Sequence, residues 1–81
     1  MKTLSYNLDS LESAEKLVKM CQKYKGLMDI DIICGRYIID AYSMLGVHSL
    51  VGRTVSIEPQ TDREELILSL GKDLEQIKNE K

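Results

Sequence analysis

The apolar residues of this chain switch back and forth between two spacings, and no other feature restricts its fold as much. Residues 2–8 alternate, with Leu4, Tyr6 and Leu8 to one side and Thr3, Ser5 and Asn7 to the other, the period of a strand with one wet face. From Leu11 the spacing turns helical. Leu11, Ala14, Leu17, Val18, Cys21 and Tyr24 fall on one stripe, while Glu12, Glu15, Lys16, Lys19 and Lys23 point mostly outward. Asp9 or Ser10 caps this helix, Asp9 with Glu12 reading as a capping box, and Gly26 followed by apolar Leu27 ends it.

Alternation then returns. Met28, Ile30 and Ile32 face inward and Asp29 and Asp31 outward, and Cys34-Gly35 makes a tight turn into Tyr37-Ile38-Ile39-Asp40, so two strands form a hairpin. Ser43 caps a short second helix over 44–50, closed by Gly52. Residues 53–58 alternate as a fourth strand with Val55 and Ile57 inward, which Pro59 is expected to end for want of an N–H. Thr61-Asp62-Arg63-Glu64 reads as a capping box, and Leu66, Ile67, Leu70, Leu74 and Ile77 share one face of a third helix. Gly71 inside that helix suggests a close approach to the first helix, and residues 78–81 should fray.

The order is β-α-β-β-α-β-α with strands polar on one face. It predicts a single α+β domain over 1–81, a two-layer open-faced sandwich with three helices on one face of a four-stranded antiparallel sheet. The composition agrees: 43% hydrophobic and 30% charged residues are the proportions of a soluble globular protein. No apolar run can cross a bilayer and the N-terminus lacks the apolar core of a signal peptide, so a cytoplasmic protein is expected. A net charge of -2 without a basic block excludes the electrostatic footprint of a nucleic-acid binder.

Few residues are suited to chemistry. Cys21 and Cys34 lie in different elements and, with one histidine in the chain, cannot complete a zinc site; they read as two small buried thiols, and no metal or cofactor is expected. The scattered glycines form no phosphate loop. Asp29, Asp31 and Asp40 read as a solvated polar face of the sheet, with nothing to supply acid–base catalysis. His48 is of the residue type that most often serves as a general base, but its spacing from Met44 on the second helix reads better as an exposed contact surface, joined by Val51, with Leu45, Val47 and Leu50 turned inward. Ser43 serves as a helix cap, a position where a phosphate is also tolerated.

The element order, the length and residues 35–50, GRYIIDAYSMLGVHSL, resemble HPr, the histidine-containing phosphocarrier of the bacterial sugar phosphotransferase system. The S-x-x-G-V-x-S-L pattern from Ser43 to Leu50 carries most of the likeness. The resemblance implies that Ser43 is the target of a regulatory serine kinase. It also implies that Met44 and His48 dock against enzyme I, sugar-transport subunits and that kinase. Members of the family carry phosphate on a histidine before the first helix, followed by an arginine and a proline. Here Ser10 stands about where the histidine belongs and Glu12 about where the arginine belongs, and no His, Arg or Pro occurs between 2 and 26. A seryl phosphate is a low-energy ester that does not pass phosphate on, and Glu12 repels an anion that a cation would hold. The expectation is therefore an HPr-like docking or regulatory protein, not an enzyme and not a phosphate relay. The alternative is a small protein-binding domain unrelated to sugar transport.

Overall fold

A computed structural model of the chain describes residues 4–79. The elements follow the order β1 (Leu4–Asn7), α1 (Leu11–Cys21), β2 (Asp29–Cys34), β3 (Tyr37–Asp40), α2 (Met44–His48), β4 (Thr54–Gln60) and α3 (Glu64–Asn79), with a 3-10 turn at Gln22–Tyr24 after α1. The sheet has four strands in the order β1-β4-β2-β3, and every neighbouring pair is antiparallel. Tyr6, Val55, Ile57, Ile30 and Ile32 on one sheet face join Leu17, Val18, Val47, Leu70 and Leu74 in a single core. Among the described residues the other face carries no helix. The fold is the expected α+β open-faced sandwich.

Local differences from the expectation have physical reasons. Ser10, not Asp9, caps α1: its extended backbone (φ -157°, ψ 171°) lets Oγ accept the Ser13 N–H at 3.2 Å, and no Asp9–Glu12 box forms. Leu11, at the first turn of α1, is 58% exposed and stands off the buried stripe. The helix tightens at its end into the 3-10 turn, and Gly26 takes the left-handed conformation (φ +90°) expected of it. In the hairpin, Gly35 has φ +59° while Arg36 has no positive φ, the pattern of a type II′ turn.

Pro59 does not end β4. The strand continues to Gln60, and Pro59 sits opposite Ile30. Ile30 uses its carbonyl on the β3 side, accepting the Ala41 N–H at 3.0 Å, so Ile30–Pro59 is a pair that exchanges no hydrogen bonds. The missing N–H therefore faces away from β2, and the β2–β4 ladder loses no hydrogen bond. At α3 the first intrahelical bonds run to the Arg63 carbonyl, and Thr61 Oγ1 accepts the Arg63 N–H rather than forming a box with Glu64. Gly71 makes no close approach to α1; a Cβ there would meet only Leu4 Cδ2 at 4.0 Å. Helix α3 continues through Lys78 and Asn79, while the expected strand positions 2 and 3 and the tail at 80 and 81 lie outside the described residues.

A polar clamp joins the 3-10 turn after α1 to α3. Asp73 Oδ2 accepts from Lys23 Nζ at 2.7 Å and from the Tyr24 hydroxyl at 2.5 Å, and that hydroxyl also lies 2.8 Å from Ser69 Oγ. Burial works to raise the Asp73 carboxyl, but the hydrogen bonds from Lys23 and Tyr24 outweigh it and hold the group below its ordinary value. No helix among the described residues is long and apolar enough to cross a membrane.

Candidate functional site

The segment from β3 into α2 is fixed by short polar contacts. Asp40 Oδ1 accepts the Tyr42 N–H at 2.9 Å and the Asp40 carbonyl accepts the Ser43 N–H at 3.0 Å, turning the chain out of the strand. The Tyr42 hydroxyl donates to the Met28 carbonyl at 2.6 Å, and burial pushes this phenol up to about 12, so it remains a donor. Ser43 is exposed, and its Oγ accepts the Gly46 N–H at 3.2 Å as the cap of α2. Helical bonding then tightens: Leu50 donates to the Val47 carbonyl and Val51 to the His48 carbonyl, three residues back, up to Gly52 at φ +96°. The helix proper thus stops at His48, short of the expected residue 50.

Packing of Gly46 on Ile39 sets the roll of α2, and this changes which side chains are presented. Val47 and Leu50 are buried as expected, but Leu45 is 84% exposed and is the most exposed large apolar residue described. Met44 is half-buried against the core instead of open to solvent. His48 is also half-buried, and its Nε2 is buried with no hydrogen-bond partner among the described residues. The solvent-facing side of α2 is therefore centred on Leu45 and Ser43, with Met44 and His48 at its margin. Five residues make about one and a half turns, too few for periodicity to reveal which side is free.

At the start of α1 the reactive group is a hydroxyl. Ser10 is exposed, its Oγ occupied by the Ser13 N–H and 3.3 Å from Ser13 Oγ. Glu12 lies in the first turn, where a carboxylate favours the helix dipole, and pairs with Lys16 at 3.7 Å. An open cleft beside them is lined by Ser10, Ser13, Lys16 and, from α3, Lys78. No imidazole stands here, because the single histidine of the chain is His48.

The helix-free face of the sheet holds a second cluster. Register sets Asp31 opposite Glu58 on one side and Asp40 on the other, so three carboxylates form one row across β4, β2 and β3, with Asp29 nearby. Gln60 Nε2 bridges Asp31 Oδ2 and Glu58 Oε1, each at 3.0 Å. Partial burial raises the Asp31 carboxyl, and the neighbouring Glu58, Asp29 and Asp40 raise it further, against the Gln60 hydrogen bond. Glu58 joins the row only through strand register, which local spacing does not reveal. Among the described residues no group of His, Cys, Asp or Glu is arranged to hold a metal ion. Both cysteines are free. Cys21 is buried, which pushes its thiol up to about 12, whereas Cys34 is half-buried at the end of β2.

No protein-family model and no curated protein sequence matches this chain. Among solved structures it is similar to the crystal structure of HPr-C-His from Thermoanaerobacter tengcongensis, with a TM-score of 0.69, 21% sequence identity, and 100% of this chain matched to 99% of that one. The described residues have the HPr-like fold.

Proposed function

We propose that this chain is a docking or regulatory protein related to the bacterial sugar phosphotransferase system that does not relay phosphate. The carrying observation is an HPr-like fold whose first helix begins with the Ser10 hydroxyl, while the lone histidine sits on α2 with Nε2 buried. A relay needs a nucleophile whose phosphoryl bond is easily broken again, as in a phosphoramidate. Ser10 forms only a stable ester. Glu12 adds a negative charge where an incoming phosphoryl group would need a cation.

On this reading the protein binds rather than catalyses, in the cytoplasm, through α2. Leu45 supplies the apolar contact, with Met44 and His48 beside it, and Ser43 is the candidate for modification by an HPr-type serine kinase. A phosphate on Ser43 adds about -1.5 to -2 charge and can still accept the Gly46 N–H, so α2 keeps its cap while the docking face becomes anionic. The test is a titration of the labelled protein with an HPr-type serine kinase and ATP, followed by residue-resolved NMR and mass spectrometry. Phosphate on Ser43, with shifts centred on Leu45 that vanish in Leu45→Asp, supports the proposal. No binding and no modification, beside an ordinary HPr that responds, contradicts it.

A further inference from the structure

The edge strand β3 is bonded to β2 alone, and no strand lies beyond it among the described residues. Since Ala41 donates to Ile30, alternation of the ladder commits Ile39 and Tyr37 to β2 and leaves the N–H and C=O of Ile38, and the N–H of Asp40, facing out of the sheet. Its side chains are unusually open for apolar groups: Ile38 is 66% and Tyr37 61% exposed. Natural edges are commonly blunted by charge. Here the charges are Arg36 at one end and Asp40 at the other, neither of them in an ion pair among the described residues.

From this we infer that β3 is a self-association edge whose partner is a second copy of the chain, paired antiparallel about Ile38. A two-fold axis at Ile38 sets Ile38 against Ile38, Tyr37 against Ile39, and Arg36 against Asp40, each heteropair occurring twice. The pairs within β3 keep the pleat, because residues 38 and 40 share one face and 37 and 39 the other, and Arg36, in the turn that opens the strand, lies next to Asp40 of the second copy. The two Ile38 residues exchange backbone hydrogen bonds, and Asp40 N–H reaches the opposing Arg36 carbonyl. On the helix-free face, Ile33 and Ile38 of the two copies make one apolar ridge across the seam. The same pairing brings an arginine to the end of the Glu58–Asp31–Asp40 row, which has no cation in its ladder among the described residues. A parallel pairing in register would instead oppose Arg36 to Arg36 and Asp40 to Asp40.

The test is sedimentation velocity over a rising concentration series, with circular dichroism to verify folding of each variant. The wild-type chain is expected to pass from monomer to dimer. Ile38→Lys loses the dimer, and Arg36→Glu weakens it at least tenfold. Asp40→Lys is weakened likewise, but mixing it with Arg36→Glu restores dimer, because each then presents the complement of the other. A wild-type chain that stays monomeric into the millimolar range overturns the inference. So does a dimer that Ile38→Lys and Arg36→Glu leave unchanged, above all if Leu45→Asp abolishes it. Should Asp40→Lys fail to fold, the other two variants still decide.

Discussion

Gly46 and Ile39 are so close that a Cβ on the glycine would stand 2.6 Å from Ile39 Cγ2. The same Cβ would lie 3.1 Å from the Ser43 Oγ that caps α2. Alanine favours a helix over glycine by about 1 kcal/mol, but overpacking costs about 1 to 3 kcal/mol. Gly46→Ala should therefore lower stability in urea unfolding. In an Ile39→Ala background, which removes the opposing methyl, the loss should shrink or reverse. An equal loss in both backgrounds would refute the packing account of α2.

Gly71 offers the opposite case. Its Cβ would meet only Leu4 Cδ2 at 4.0 Å, an ordinary contact. Gly71→Ala should raise stability by about 0.5 to 1 kcal/mol, with an unchanged m-value in the same unfolding assay.

The carboxylate row makes a prediction with a definite sign. The folded-state pKa of Asp31 is raised, so the folded protein holds this proton more tightly than the unfolded chain. Its contribution favours folding at low pH and is lost as pH rises through the raised value. Asp31→Asn, which removes one of three aligned charges, should stabilise the protein at pH 7 by a few tenths to about 1 kcal/mol. The gain should fade as pH falls into the carboxylate range, as followed by thermal melts from neutral to acid pH.

Asp73 behaves in reverse. Its folded-state pKa is lowered, so its stabilisation is present above the ordinary aspartate value and disappears as pH falls through the depressed one. Asp73→Ala at pH 7 removes the acceptor of both Lys23 and Tyr24 and should cost about 1 to 3 kcal/mol. Tyr24→Phe should cost less, about 1 kcal/mol. The Asp73→Ala loss should diminish in strong acid.

Much of the fold could be read from spacing alone, because Ile30, Ile32, Val55 and Ile57 at period two and Leu17, Leu70 and Leu74 at helical spacing are the residues that meet in the core. What escaped depended on neighbours remote in sequence. Whether Pro59 breaks β4 turns on which way its missing N–H faces, and only the pairing with Ile30 decides that. Leu45 was expected inside, yet α2 is too short for a stripe and its roll follows from Gly46 against Ile39. Ser43 and Ser10 were recognisable as caps, since capping is local chemistry. The alignment of Glu58 with Asp31 and Asp40 was not, since register is a property of the whole sheet.

On the proposed reading, the start of α1, with Ser10 and Glu12 and no imidazole, does not relay phosphate. Incubation of the protein with enzyme I, magnesium and labelled phosphoenolpyruvate, beside an ordinary HPr, measures it directly. The predicted result is no acid-labile phosphate on this chain while the HPr becomes labelled. Acid-labile phosphate on His48, or on any other residue, together with its passage to a sugar-transport subunit, would contradict the account.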